Sequence, residues 1–219
     1  MTDPADTAAV SGLVPAAFGL AYLLGAVPTA LWVGRAVYHL DIRQHGSGNS
    51  GATNTFRVLG KRAGTGVLSF DILKGFGAAF LAVGLLRAGA IGADALVRWQ
   101  LALGLTAVLG HIYSVFAGFK GGKGVATLLG VVLGVAPGPA VGCVLLFVGV
   151  LWLTSYVSVS SMLSTAAFPV LVALLGPRDA GLLSFGVLAA ALVAYTHRVN
   201  IGRLRAGTEN RVDPFGRRR

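Results

Sequence analysis

GTGVLSFDILKGFGAAFLAVGLL, residues 64–86, is an apolar run interrupted by only two charges, Asp71 and Lys74. A bilayer core of roughly 30 Å is crossed by about 20 apolar residues in a helix, so the stretch predicts a membrane span. Charges inside a span are costly unless paired or in a wet cavity. Asp71 and Lys74 stand at i and i+3, one helix face; a structural ion pair is expected, with a contribution to a site as the alternative. Outward from this run lie six more apolar stretches, residues 13–38, 95–116, 125–136, 140–154, 157–175 and 181–195. The fourth and fifth spans in chain order are short. Either each begins in its adjoining polar loop, or the pair tilts or enters only partway, and five spans plus one re-entrant pair is the rival count. Pro137 and Pro139 around Gly138 predict a tight turn between them. The expected fold is an all-α integral membrane protein with seven transmembrane helices. Residues 1–219 would form one domain, with 1–12 an N-terminal tail and 210–219 a basic tail.

Composition agrees with a membrane setting. Of the 219 residues 55% are hydrophobic and 12% charged, against roughly 25% charged in soluble domains. The formal net charge of +10 would suggest nucleic acid in a soluble protein. In a membrane protein it reflects cytoplasmic loops and an anionic lipid or substrate, so no nucleic-acid partner is read. Cys143 is the only cysteine and lies in an apolar run, which excludes disulfides. The acidic start MTDPADTAAVSG lacks a basic n-region, so no cleavable signal peptide is expected.

Charge sets the orientation. Arg43, Arg57, Lys61 and Arg62 lie between the first two spans, and Lys120 and Lys123 between the third and fourth. Arg198, Arg203, Arg205, Arg211 and Arg217 to Arg219 follow the last. The other side has Arg87, Arg98 and Arg178, with Asp3, Asp6, Asp94 and Asp179. The positive-inside rule predicts an outside N-terminus and a cytoplasmic C-terminus. Four polar segments then share the cytoplasmic face: DIRQHGSGNSGATNTFRVLGK (41–61), FKGGKG (119–124), YVSVSS (156–161) and HRVNIGRLRAGTE (197–209).

The first segment interleaves Gly46, Gly48 and Gly51 with Ser47, Asn49, Ser50, Thr53 and Asn54. Glycines let successive backbone N–H groups turn inward as an anion nest, and hydroxyls and amides add donors. Arg57 and Lys61 at i and i+4 would share one helix face, a planar fork beside a movable point charge. The alternative is a flexible loop carrying positive-inside charge. In the second segment Lys123 stands where a helix N-terminus would favour an oxyanion, or else the segment is a basic turn. Ser158, Ser160 and Ser161 open the sixth span as site groups or as caps. His197, Arg198 and Asn200 close the seventh, with His197 a base, an oriented donor or a cap. His111 reads as a structural interior histidine, and His39 and His45 as surface residues.

Several chemistries are missing. The fifth residues after His39, His45, His111 and His197 are Gln44, Ser50, Phe116 and Gly202, so there is no His-x4-Asp motif. No GxSxG elbow and no metal-ligand spacing occur. Carboxylates on the basic face are few: Asp41, Asp71, Glu209 and Asp213. The segments are rich in phosphate binders and poor in bases and nucleophiles. A transporter of a phosphorylated metabolite is the competing class, but it predicts polar residues deep in several helices or repeat symmetry.

These motifs carry a family resemblance. DIRQHGSGNSGATNTFRVLGK, DILKG, GHIYSVFAGFKGGKGVAT, YVSVSS and HRVNIGRLRAGTE, in order across residues 41–209, resemble the bacterial acyl-phosphate:glycerol-3-phosphate acyltransferases, the PlsY family. Two departures stand out: Ser114 replaces a usual proline, and Val199 replaces a usually polar residue. The resemblance implies a multi-pass enzyme of the bacterial cytoplasmic (inner) membrane, in phospholipid synthesis. It would move an acyl group from acyl phosphate to the 1-hydroxyl of glycerol 3-phosphate. It also implies that Ser47, Gly48, Asn49, Gly51, Thr53, Asn54 and Arg57 hold acyl phosphate. Lys61, Lys123, Ser161, His197 and Asn200 would hold glycerol 3-phosphate, with His197, Lys123, Arg57 and Ser161 acting in catalysis. Ser161 is chosen over its neighbours by that match alone. No protein nucleophile, cofactor or metal is implied, and the chain is taken as a monomer in the lipid bilayer.

Overall fold

The computed structural model describes residues 4–176 and 179–212, with side chains from residue 12 onward. Asp3, Arg178, Asp213 and Arg217 to Arg219, named above, lie outside the described residues. Nine α-helices occur among those described: α1 Pro4–Ala26, α2 Thr29–Tyr38, α3 Ala52–Arg87, α4 Leu96–Ile112, α5 Val125–Val135, α6 Pro137–Thr154, α7 Val157–Leu175, α8 Ala180–Thr196 and α9 Arg198–Arg205. Among the described residues four segments are long and apolar enough to cross a membrane: Ala52–Arg87, Ala93–Ala117, Pro137–Thr154 and Val157–Leu175. The number rises to six if each bent pair counts as one span, the pairs being Gly12–Ala26 with Thr29–Tyr38 (44°) and Ala180–Thr196 with Arg198–Arg205 (61°). The expected span left out of that number is the fourth, which is α5. Its 11 residues make a helix about 16 Å long, well short of the hydrocarbon thickness.

Four local readings change. The expected first span is broken between Ala26 and Thr29, where Pro28 has φ −88° and ψ 70°. α3 begins at Ala52, inside the first polar segment, and is interrupted at Gly60 with φ 85° and ψ −177°. That break falls between Arg57 and Lys61, so the i, i+4 relation that would place them on one face does not hold. Pro137, Gly138 and Pro139 do not form a separate turn. They are the first turn of α6, with Pro137 in the opening position, where a missing N–H is harmless. α1 likewise begins at Pro4, inside the stretch expected to be a tail.

The chain groups into two compact units, Met1–Val135 and Ala136–Arg219. In the first, small residues let helices approach backbone to backbone. A Cβ on Gly25 of α1 would run into the Ala107 carbonyl of α4, and one on Gly110 of α4 into the Tyr22 carbonyl of α1. The same reciprocal exchange joins α3 and α5, Gly75 against Thr127 and Gly130 against Ile72. In lipid, where apolar surface gains nothing by leaving the solvent, such close packing is what holds helices together. Asp71 and Lys74 do form an ion pair, 2.9 Å long with both side chains almost fully buried. Ser114, at the family's proline position, is buried, and its hydroxyl donates to the Ala26 carbonyl at the end of α1. The departure therefore ties that helix end down. In the second unit α6 packs on α7 and α7 on α8, with Cys143 Sγ 3.2 Å from the Ser164 carbonyl oxygen.

Candidate active site

The first polar segment is organised by Asn54. This side chain is 1% exposed. Its Nδ2 donates to the carbonyls of Ile42 (3.0 Å) and His45 (2.9 Å), and its Oδ1 accepts the Ser47 N–H (2.9 Å). Arg57 Nη1 reaches the same Oδ1 at 3.5 Å. Asn54 is therefore the pin of the loop, its side chain spent on the fold. Gly46 and Gly48 have φ 61° and 76°, a region glycine enters without Cβ strain. A Cβ on Gly46 would also meet Asn54 Oδ1.

The start of this loop is held by charge. Asp41 Oδ1 accepts from the Arg43 backbone N–H and Nε, and Oδ2 from Arg43 Nη2 (2.7 Å) and Arg35 Nη2 (2.9 Å). Hydrogen bonding from the Arg43 guanidinium, then from its N–H and Arg35, holds the Asp41 carboxyl well below the usual carboxylate range, and Asp41 in turn raises Arg43. Arg43 Nη1 also donates to the Ala117 carbonyl (3.2 Å), and Ser50 Oγ lies 3.5 Å from the Lys120 carbonyl oxygen. The first segment and the FKGGKG turn are thus brought together.

Not every glycine-flanked amide is available to an anion. Ser47 N–H is bonded to Asn54, Gly48 N–H to the His45 carbonyl, Gly121 N–H to Ile112 and Gly122 N–H to His111. In contrast, the N–H groups of Asn49, Ser50, Gly51, Ala52 and Thr53 make no hydrogen bond to another described residue. They run through the N-cap Gly51 into the first turn of α3, the positive end of its dipole. Asn49 Oδ1 is buried without a partner. Thr53 and Lys123 are half-buried, and Arg57 and Lys61 are exposed. Lys123 precedes Gly124, φ 82°, and then α5.

The second unit gathers Ser158, Asn200 and Glu209. Glu209 Oε1 accepts from Ser158 Oγ (2.8 Å) and Asn200 Nδ2 (2.6 Å), and its Oε2 is buried without a partner. His197 is 2% exposed, and its Nδ1 lies 2.8 Å from the Val193 carbonyl oxygen. That contact puts the neutral ring's proton on Nδ1 and makes Nε2 the acceptor. Ser160 donates to the Tyr156 carbonyl, whereas the Ser161 carbonyl accepts from Ser164 and Thr165. Glu209 was not among the expected site residues. Its signal was its place as the lone carboxylate of HRVNIGRLRAGTE.

Comparisons with known proteins give the family of the chain. The glycerol-3-phosphate acyltransferase family profile matches residues 16–207. A glycerol-3-phosphate acyltransferase of Chlorobium phaeobacteroides is 42% identical over 92% of this chain and 97% of its own. That of Geobacter sulfurreducens is 47% identical over 88% and 94%. A solved structure of PlsY, an integral membrane glycerol 3-phosphate acyltransferase, in its glycerol 3-phosphate form is 40% identical. It has a TM-score of 0.79 over 91% of this chain and 96% of that one. Its lysophosphatidic acid form gives 0.78 over 91% and 95%. The chain belongs to the glycerol-3-phosphate acyltransferase family.

Proposed function

We propose that the protein transfers a fatty acyl group from acyl phosphate to the 1-hydroxyl of glycerol 3-phosphate, in the bacterial cytoplasmic membrane, with its polar segments facing the cytoplasm. Seven membrane-inserted segments with the N-terminus outside complete the reading. The observation that carries it is the unspent run of amides from Asn49 to Thr53 at the start of α3, in the loop pinned by Asn54, whose Oδ1 Arg57 also reaches. The forms in which relatives were solved, with glycerol 3-phosphate and with lysophosphatidic acid, support the acceptor and product.

Acyl phosphate is a mixed anhydride, so the protein need not activate it through a nucleophile of its own. The C1 hydroxyl oxygen of glycerol 3-phosphate attacks the acyl carbon. The carbon–oxygen bond to phosphate breaks, its electron pair leaves with the phosphate, and the hydroxyl proton passes to a phosphate oxygen. Arg57, the Ser47 hydroxyl and the groups of Asn49, Gly51 and Thr53 hold the acyl phosphate and the charge that grows on it, while Gly48, its N–H bonded to the His45 carbonyl, and Asn54 keep the loop in shape. Lys61, Lys123, Ser161, His197 and Asn200 hold glycerol 3-phosphate. Well-oriented partners reach effective molarities of about 10⁵ M and above, so positioning and charge neutralisation supply the catalysis.

The donor is tested by presenting palmitoyl phosphate, palmitoyl-CoA and palmitoyl acyl carrier protein separately to purified protein. Lysophosphatidate should form from the first alone. Formation from either thioester at a comparable rate would overturn the donor assignment. Proton transfer is tested with His197→Gln: a loss of several orders in kcat with substrate affinity intact would make His197 the base instead.

A further inference from the structure

Asp71 and Lys74 are buried charges that the reaction above does not use. A buried ion pair is weak evidence of stabilisation, because desolvating two charges offsets their attraction. Inside a span it points first to function. The pair does not stand alone. Thr29 Oγ1 donates to Asp71 Oδ1 (3.3 Å), and Lys74 Nζ donates to the Val27 carbonyl (3.1 Å), at the break between α1 and α2. On the other side His111 Nδ1 lies 3.7 Å from Asp71 Oδ1, with no hydrogen bond of its own.

His111 lies one residue before the end of α4, and the FKGGKG turn is built on it. Its carbonyl accepts the Gly122 N–H at 3.1 Å, and the next carbonyl, Ile112, accepts the Gly121 N–H at 3.0 Å. A Cβ on Gly121 would run into the His111 carbonyl oxygen, and one on Gly122 into the ring nitrogen Nε2. The imidazole is therefore wedged between Asp71 and the backbone of the residue before Lys123. The two glycines are there for this close approach, since their N–H groups are spent on α4.

We propose that Asp71, Lys74 and His111 are positioning residues that seat the Gly121–Gly122–Lys123 turn and so set where Lys123 meets the phosphate of glycerol 3-phosphate. The role rests on the assignment of Lys123 given above. The ion pair backs the imidazole at 3.7 Å, the imidazole and its carbonyl fix Gly122, and Lys123 follows directly. Removing the frame leaves α3 packed on α5 and α4 on α1 through their glycine crossings but lets the turn wander.

The test uses full-length protein in detergent, with His111→Ala, Gly122→Ala, the double variant, and the charge-free pair Asp71→Asn with Lys74→Met. Gly122→Ala and His111→Ala should each raise KM for glycerol 3-phosphate about tenfold, with the acyl-phosphate KM within about twofold. Because the added methyl points at the ring that His111→Ala deletes, the double variant should be better than the product of the singles by about threefold or more. Effects that simply multiply would overturn the proposal, as would a fall in melting temperature with KM unmoved. Hydrogen exchange across residues 119–124 reads the same frame without turnover. The charge-free pair and His111→Ala should speed exchange of the Gly121 and Gly122 amides about tenfold, and unchanged protection in a folded variant would refute the frame. Wild-type turnover in the same assay tests the acyltransferase reading separately.

Discussion

Replacing Asn54 by Ala removes the pin of the first loop. Three of its hydrogen bonds lie at 2.9–3.0 Å, and the side chain is 1% exposed. Each is worth about 1 kcal/mol net, and more where the abandoned partner stays dry. The buried Ile42 carbonyl and the Ser47 N–H are such partners, so the loss is about 3 kcal/mol. Little of it should appear in the melting of the bundle, because the helices keep their packing. It should appear in the probability that the 41–51 loop is correctly folded. At 1.4 kcal/mol per decade, kcat/KM for acyl phosphate should fall roughly 100-fold, read by phosphate release at saturating glycerol 3-phosphate. Asn54→Asp retains the acceptor for Ser47 but sets a carboxylate against two carbonyls and near the substrate phosphate. It should be at least as damaging. A variant with Ala at 54 within about threefold of wild type would refute the reasoning, since the loop would then be held by something else.

Glu209→Ala takes the shared acceptor from Ser158 and Asn200; KM for glycerol 3-phosphate should rise about tenfold, and an unchanged KM would remove Glu209 from the site. Asp41 should matter least in acid. Its folded-state pKa is depressed, chiefly by Arg43, so its stabilisation is complete above the unfolded carboxylate value of about 4 and fades as pH falls toward the lower folded value. Limited proteolysis of the first loop should distinguish Asp41→Asn from wild type at neutral pH, the gap narrowing below about pH 4; a gap that widens in acid would contradict the sign. Ser114→Ala leaves the Ala26 carbonyl without its hydroxyl donor and should cost about 1 kcal/mol in thermal unfolding. Ser114→Pro fits the local φ of −65° and should do no worse.

The long apolar helices were legible because their signal is an average over many residues. α7, Val157–Leu175, has the bounds expected from hydropathy alone, and α6 and α8 differ from expectation by a few residues at their ends. The breaks at Pro28 and Gly60 were not legible, because one residue's dihedrals barely move such an average. Gly60 has nothing within 4 Å of where its Cβ would be, so no packing pattern announces it. At the site, the residue types were readable and their commitments were not. Asn54 looked like a phosphate ligand, yet its partners are carbonyls nine and twelve positions upstream. Glu209 engages Ser158 from 51 positions away. The ion pair at Asp71 and Lys74 was readable from its i, i+3 spacing. His111, which joins it from another helix, could only be placed by the fold.

The most direct measurement of acyl transfer follows both products at once, in purified protein supplied with palmitoyl phosphate and a titration of glycerol 3-phosphate. Inorganic phosphate and lysophosphatidate should appear together, one for one, and only when both substrates are present. Phosphate release without glycerol 3-phosphate would make the site a phosphatase. Passage of unmodified glycerol 3-phosphate across sealed vesicles, with no lysophosphatidate formed, would make it a transporter, and either result would contradict the acyltransferase reading.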